Sequence, residues 1–325
     1  MTEFAASRPR PPVPNSISEP AQRFLAIVYD LFRDMAPPEG IDDAAEWRRF
    51  FDKADAAMIA QLGPRQSDGP PLVRDEFELD GVRTFVLRPH DVPNSSETPI
   101  YLDFHGGGMV MGAGEAGLVQ VMPAARVRDM ITWAPDYRMP PGHPYPAALD
   151  DSLAVYRKAL DERDPGDIFV GGASAGANLA AALLVRAKDE GLPMPAVLVL
   201  MSPGVDLTES GDTFNTMRGV DYVVPTMTYN LLYAGSHDLA DPYVSPLFGD
   251  LSGLPPTFLQ SGTRDMLLSS TVRMHRKLRA AGVEAELHVW EAMPHGSFGG
   301  DTPEDDEVMR EVLRFLAQHR RPNRT

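Results

Sequence analysis

The strongest fold signal in this sequence lies in residues 168–176, which read Ile168-Phe169-Val170-Gly171-Gly172-Ala173-Ser174-Ala175-Gly176. A short apolar run leads into a G-x-S-x-G motif, and the helix-forming residues 178–188 follow it. Small residues on both sides of a serine allow the sharp strand-to-helix turn that exposes its hydroxyl above a sheet. The pattern therefore predicts a nucleophilic Ser174 at the carboxyl end of a strand.

The rest of the chain repeats this alternation of strand and helix. Short β-rich apolar runs are separated by helix-length segments. These runs are residues 100–104, 131–134, 168–170, 196–201, 257–260 and 285–290. Ahead of them, residues 76–79 and 82–87 flank Asp80-Gly81, a strong signal for a hairpin. The pattern predicts an α/β fold with a mostly parallel central sheet, helices on both faces and one antiparallel pair at its start.

The two ends of the strand series predict the domain organisation. Four closely spaced prolines (Pro9, Pro11, Pro12 and Pro14) predict a flexible arm over residues 1–20. Helical spacing then predicts helices within residues 21–70, from the apolar residues Phe24, Ile27, Val28, Leu31, Phe32, Trp47, Phe50, Phe51, Met58 and Ile59. A long interval, which contains Tyr222, Val224 and Pro225, predicts a cap insertion over residues 206–244. Residues 71–205 and 245–325 would form the core.

Composition limits the function classes. The chain has 325 residues, and 30 basic against 46 acidic residues give a net charge of −16, which disfavours nucleic acid and anionic membranes as partners. The absence of cysteine excludes disulfides, thiolate catalysis and cysteine-ligated zinc. No apolar run has membrane-spanning length, and the polar amino terminus lacks a secretion signal, so we expect a cytoplasmic protein. The sequence leaves open whether the protein forms a homodimer.

Three residue types in the right order predict a catalytic triad. A serine hydroxyl needs a nearby base, and the base needs a carboxylate to orient it. Asp265, in Gly262-Thr263-Arg264-Asp265, and His295, in Met293-Pro294-His295-Gly296, each follow a predicted strand. The order Ser174, Asp265, His295 is one in which such triads occur. We therefore expect acyl transfer at Ser174.

A glycine turn supplies the other half of this chemistry. His105-Gly106-Gly107-Gly108 follows the run at residues 100–104, and its free backbone N–H groups can hold an oxyanion. The predicted oxyanion hole comprises the N–H groups of Gly107, Gly108 and Ala175, with His105 and Gly106 as its supporting motif. The spacing of the histidines matches no metal motif, so we expect no metal.

Each of these residues also has a structural interpretation. The glycine turn can be an ordinary loop, Asp265 a helix N-cap and His295 a turn residue. Asp238, Asp241 and Asp250 are rival acids near the end of the long interval.

Several motifs together resemble the hormone-sensitive lipase family of α/β hydrolases, in its bacterial esterase branch. The segment Tyr137-Arg138-Met139-Pro140-Pro141-Gly142-His143-Pro144-Tyr145-Pro146-Ala147-Ala148 resembles the family's Y-R-L-A-P-E-H-P-F-P-A-A. His105–Gly108 resembles its oxyanion motif, and residues 172–179 resemble G-D-S-A-G-G-N-L. Residues 241–247 and 251–256 also fit.

This resemblance implies an α/β-hydrolase fold whose helical cap is made from the N-terminal helices, within residues 21–70, and the insertion. It also implies hydrolysis of short to medium acyl esters without a cofactor. The chain departs from the family pattern at Ala173, Ala177, Gly142 and Ser269. These departures remove no catalytic group, but they change the polarity near the site and leave the substrate preference open.

Two alternatives stay open beside the serine esterase. One is a lactone or amide hydrolase that uses the same triad, because leaving group and pocket shape are not encoded in these motifs. The other is a ligand-binding protein built on a hydrolase scaffold, which predicts a damaged triad.

Overall fold

The computed structural model describes residues 11–31, 37–38, 40–63, 69–223 and 227–321. The strands are β1 (Leu72–Leu79), β2 (Val82–Pro89), β3 (Ile100–Phe104), β4 (Ile131–Pro135), β5 (Ile168–Ala173), β6 (Val197–Met201), β7 (Thr257–Gly262) and β8 (Ala285–Trp290). The helices are α1 (Glu19–Leu31), α2 (Ala44–Leu62), α3 (Glu115–Val127), α4 (Ala147–Glu162), α5 (Ala175–Asp189), α6 (Thr213–Thr216), α7 (Met227–Ala234), α8 (Leu268–Ala280) and α9 (Pro303–His319).

The strands form one sheet in the order β1-β2-β4-β3-β5-β6-β7-β8. β2 pairs antiparallel with both β1 and β4, and the other neighbours are parallel. The predicted α/β class and mostly parallel sheet are therefore confirmed. The hairpin turns at Asp80 and Gly81, whose φ angles of 51° and 82° are those of a turn that favours glycine and aspartate.

Alternation along the strands gives the sheet two apolar faces. Successive strand residues point to opposite faces. On one face Val170 and Leu200 pack with α5, and on the other Phe169 and Val199 pack with Phe315 of α9. The helices therefore cover both faces, as predicted.

The fifth strand extends past the predicted limit at residue 170. Gly171 and Gly172 continue the ladder with β3 and β6. A Cβ at Gly171 would lie 2.1 Å from the hydroxyl oxygen of Tyr101, so only glycine fits beside that side chain. Gly171 is therefore required by the close approach of Tyr101, and β5 continues through it.

The first helix lies against the carboxyl-terminal part of the fold. Ile17, Ala21 and Leu25 pack with Met293 and Phe298. Ser18 Oγ donates a 2.7 Å hydrogen bond to the carboxylate of Glu304. The structure thus differs from the predicted arm at Ile17 and Ser18, which already contact the carboxyl-terminal part of the fold. Residues 1–10, the side chain of Leu31 and Phe32 lie outside what the structure describes.

Part of the second helix forms an aromatic cluster above the sheet. Trp47 and Phe51 of α2 are buried with Val110, Tyr229 and Leu232, of which the last two belong to α7. The Trp47 and Tyr229 rings meet edge to face with centroids 5.9 Å apart. Val224 and Pro225 lie outside the described residues, and the division into cap and core stays a prediction. In the ranges that are described, no helix combines the length and hydrophobicity that crossing a bilayer requires.

Candidate active site

Ser174 occupies the sharp turn that joins β5 to α5. Its φ of 56° is a left-handed value that non-glycine residues rarely adopt. A Cβ at Gly176 would lie 1.9 Å from the carbonyl oxygen of Phe104, and one at Gly172 would lie 2.6 Å from the same atom. The two motif glycines thus allow the turn to pack tightly on the end of β3. A 2.8 Å hydrogen bond from Ser174 N to Met201 O fixes the strained residue.

The structure brings the three predicted triad residues together. His295 follows β8 and Asp265 follows β7, at the carboxyl edge of the sheet where Ser174 also lies. The Ser174 Oγ is 2.8 Å from His295 Nε2. The Asp265 Oδ1 is 3.0 Å from His295 Nδ1. A nucleophile, a base and an orienting acid are therefore connected by hydrogen bonds in series.

The carboxylate of Asp265 is fully buried and accepts several hydrogen bonds. Besides His295, the Ser261 hydroxyl and the Leu267 backbone N–H donate to it, each at 2.8 Å. Burial alone would raise the pKa of Asp265, but the charge of His295 and these hydrogen bonds hold it below its ordinary value. The bond from Leu267 lies just before α8, so Asp265 also orders the start of that helix.

The environment of His295 favours its charged form. Burial disfavours the imidazolium, but the charge and hydrogen bond of Asp265 overcome this effect. Asp221 adds a second attraction in the same direction, and the pKa of His295 is raised above its ordinary value. An imidazole in this setting can take a proton from Ser174 and hold it while the reaction proceeds.

The glycine turn lies directly beside the nucleophile. A Cβ at Gly106 would lie 3.5 Å from the Ser174 Cβ. Gly107 and Gly108 have φ angles of 126° and 64°. Within the described part of the chain, the N–H groups of Gly107, Gly108 and Ala175 donate no hydrogen bond to a protein acceptor. These three N–H groups are thus available to an oxyanion.

His105 supports the turn from beneath. Its ring stacks on Tyr137 with centroids 4.2 Å apart, and its Nδ1 is 2.8 Å from Gly106 O. The Tyr137 hydroxyl donates a 2.8 Å hydrogen bond to His105 O. Burial lowers the pKa of His105 and so disfavours the charged form of the ring. The predicted supporting motif thus lies under the turn.

The rival acids lie in turns of their own. Asp238 and Asp241 accept hydrogen bonds from the backbone N–H groups of Ala240 and Tyr243. Asp250 pairs with Lys188, and its carboxylate lies 3.1 Å from the amine. None of these carboxylates has a hydrogen bond to His295 among the described residues.

One carboxylate near the triad was missed by the sequence analysis. Asp221 is buried with 3% exposure, and its carboxylate, Asp265 and His295 place ligand atoms within 4.8 Å of one another. Three such groups resemble a metal site, but Asp265 and Ser174 already engage both ring nitrogens of His295. A metal bound to that ring would displace one of them. No spacing motif in the sequence marks Asp221.

Comparisons with known proteins agree with this geometry. A family model described as the alpha/beta hydrolase fold matches residues 101–299. An esterase of Acinetobacter venetianus is 32% identical over 265 residues, which cover 79% of this chain and 86% of that protein. A carboxylesterase, NlhH, of Mycobacterium tuberculosis is 31% identical over 76% of this chain and 83% of its own.

Solved structures extend the likeness to nearly the whole chain. The crystal structure of an esterase, E25, has a TM-score of 0.83 and 34% identity, and the match covers 97% of this chain and 98% of that one. A hormone-sensitive lipase from a metagenome library matches with a TM-score of 0.80 and 29% identity, over 94% of this chain and 100% of its own. The family resemblance predicted from the motifs is confirmed, and the chain belongs to the hormone-sensitive lipase family of α/β hydrolases.

Proposed function

We infer that this chain is a carboxylesterase-type serine hydrolase in which Ser174, His295 and Asp265 form the triad. The observation that carries the proposal is the continuous series of hydrogen bonds, 2.8 Å from Ser174 Oγ to His295 Nε2 and 3.0 Å from His295 Nδ1 to Asp265. The related proteins named as esterases support ester bonds as the substrate class.

In the first half of the reaction an acyl-enzyme forms. The Ser174 oxygen attacks the ester carbonyl carbon while His295 Nε2 takes the hydroxyl proton. The carbonyl oxygen becomes an oxyanion, which accepts hydrogen bonds from the N–H groups of Gly107, Gly108 and Ala175. The bond to the alcohol oxygen then breaks, and His295 passes its proton to the departing alkoxide.

In the second half water releases the acid. His295 takes a proton from a water molecule, whose oxygen attacks the acyl carbon. The bond from that carbon to Ser174 Oγ breaks, and the proton returns from His295 to the serine. Asp265 holds the Nδ1 proton throughout, so the imidazole keeps the tautomer that presents a free Nε2 to the serine.

An aromatic cluster gives the site an apolar wall. A Cβ at Gly108 would lie 3.0 Å from the Tyr229 ring, so this ring lies directly over the predicted oxyanion turn. Trp47 and Phe51 pack behind Tyr229. An apolar wall beside a buried triad suits an uncharged acyl group, and we propose esters of short to medium acyl chains as substrates.

The test is hydrolysis of p-nitrophenyl esters of increasing acyl length by the wild type and by Ser174→Ala. Ser252→Ala, which changes an exposed serine, serves as the matched control. We expect turnover by the wild type and the control but none by Ser174→Ala, with an acyl-length optimum that reports the pocket depth. Retained turnover in Ser174→Ala would refute the proposal.

A lactone and an anilide substrate belong in the same assay. A higher kcat/KM for either one than for every ester would make the chain a lactone or amide hydrolase with the same triad. Tight ligand binding without any turnover would instead support the binding-protein alternative.

A further inference from the structure

A second carboxylate approaches the triad from a distant part of the sequence. Asp221 lies between α6 and α7, within the predicted cap insertion, whereas Asp265 and His295 follow core strands. Its side chain is buried, and one carboxylate oxygen lies within 4.8 Å of ligand atoms of both triad residues. The mechanism above gives this group no role.

Asp221 holds the backbone on both sides of the catalytic pair. Its Oδ2 accepts a 2.7 Å hydrogen bond from Met266 N, the residue after the catalytic acid. Its Oδ1 accepts a 3.4 Å bond from the backbone N–H of His295 itself. One carboxylate therefore connects the acid loop to the base loop.

The next residue holds the other backbone group of the base. The Tyr222 hydroxyl donates a 2.8 Å hydrogen bond to His295 O. The N–H and the C=O of His295 are thus both held by two consecutive residues, Asp221 and Tyr222. A shift of this segment would move the imidazole relative to Ser174, and small displacements of a catalytic group are costly.

We propose that Asp221 is a positioning residue for the catalytic pair, which fixes the acid and base loops and places a second negative charge beside the imidazole of His295. The proposal rests on the assignment of Ser174, Asp265 and His295 as the triad. Asp221 touches no reacting atom, so it acts through His295.

The negative charge of Asp221 distinguishes the proposed positioning role from a purely structural one. An asparagine could accept hydrogen bonds from backbone N–H groups without the cost of burying a charge. A carboxylate next to a second carboxylate is unfavourable unless a cation lies between them, and the imidazolium that forms during the reaction is such a cation. Two negative charges stabilise it more than one.

Few ionisable groups among the residues that the structure describes face His295. Asp265 faces it from the loop between β7 and α8, and Asp221 and Tyr222 face it from the segment before α7. Burial first, and then the charge of Asp265, raises the pKa of Asp221 to about 6. Above that pH both carboxylates are ionised, and both raise the pKa of His295.

The experiment compares Asp221→Asn and Tyr222→Phe with the wild type. Asp212→Asn, which neutralises an exposed acid of the same segment, is the matched control. The measurements are kcat and KM for p-nitrophenyl acetate, the pH profile of kcat/KM and the thermal midpoint of unfolding.

We expect Asp221→Asn to lower kcat about tenfold or more, with KM changed by less than about twofold. The acid limb of its pH profile should move to lower pH, because one of two negative charges beside His295 is lost. Tyr222→Phe should lower kcat without moving the acid limb, since no charge is removed. Asp212→Asn should match the wild type.

Two results would overturn the proposal. One is that Asp221→Asn keeps the kcat of the wild type and the acid limb of its kcat/KM profile lies at the same pH as in the wild type. The other is a loss of activity that follows the unfolded fraction while the acid limb stays unmoved, which would make Asp221 purely structural. Ser174→Ala, measured in the same series, keeps the two proposals separate. If that variant is inactive but Asp221→Asn is normal, the triad stands and only this inference fails.

Discussion

The Asp55 carboxylate on α2 accepts a 2.7 Å hydrogen bond from the backbone N–H of Gly112. It accepts a second, at 3.3 Å, from Ala113 N. Gly112 lies four residues beyond the predicted oxyanion turn, so an early helix is tied to the loop that carries this turn. Burial raises the pKa of Asp55, although these two hydrogen bonds oppose that effect.

We expect Asp55→Ala to destabilise the protein and to lower kcat. The variant leaves the buried N–H of Gly112 without its partner, which costs about 1–3 kcal/mol. The loss should appear in denaturant unfolding, and kcat for p-nitrophenyl acetate should fall severalfold because the turn is less well held. Asp52→Ala, an exposed change on the same helix, is the control. Equal stability and kcat in the two variants would contradict the prediction.

The pH dependence of the reaction should follow His295. Burial disfavours the imidazolium, but Asp265 outweighs it, so the pKa of His295 lies above its ordinary value. Only neutral imidazole accepts the serine proton, so kcat/KM should rise with pH through that raised value and then level off. The check is a profile of kcat/KM from about pH 5 to 9. A rate that does not change between about pH 5 and 8 would exclude this base.

Substituting Gly108 should impair catalysis more than it impairs folding. A Cβ there would lie 3.0 Å from the Tyr229 ring and would sit at a φ of 64°. Gly114 has a similar φ of 58° but no neighbour within 4 Å, so Gly114→Ala carries the backbone strain alone. Both variants should lose stability because a Cβ is disfavoured at a positive φ, and Gly108→Ala should lose more because its Cβ also crowds Tyr229. Only Gly108→Ala should also lose about 10²-fold in kcat, as when an oxyanion donor is misplaced. Equal kcat in the two would argue against the turn's role.

Chelators should leave the activity unchanged. Asp221, Asp265 and His295 could together offer three ligands to a metal ion, but both ring nitrogens of His295 have hydrogen-bond partners. Dialysis against EDTA tests this, with kcat/KM measured before and after. A loss of activity that added zinc restores would mean that a metal takes part.

The sequence predicts those parts of the site that depend on local geometry. Ser174 lies between two glycines on a strand-to-helix turn, and Asp265 and His295 each follow a strand, so a parallel sheet brings them to one edge. Each signal is contained within a few residues. Most strands can also be predicted locally, because each coincides with a short apolar run in the sequence.

The supporting residues could not be predicted in this way. Asp221 meets His295 across 74 positions of sequence, and Asp55 meets Gly112 across 57. An isolated aspartate in a helix or a long loop is usually a solvated residue, so nothing local distinguishes these two. The contacts of both residues arise only when segments that lie far apart in the sequence pack together.

The contact between α1 and the loop that carries His295 bears on the order in which the site is assembled during synthesis. Ser18 is hydrogen-bonded to Glu304, and α1 packs on the loop that carries His295. The nucleophile, in the middle of the chain, leaves the ribosome long before its base does. A growing polypeptide therefore carries Ser174 without its base until residue 295 has emerged, and the packing of α1 on Met293 and Phe298 can form only after that point.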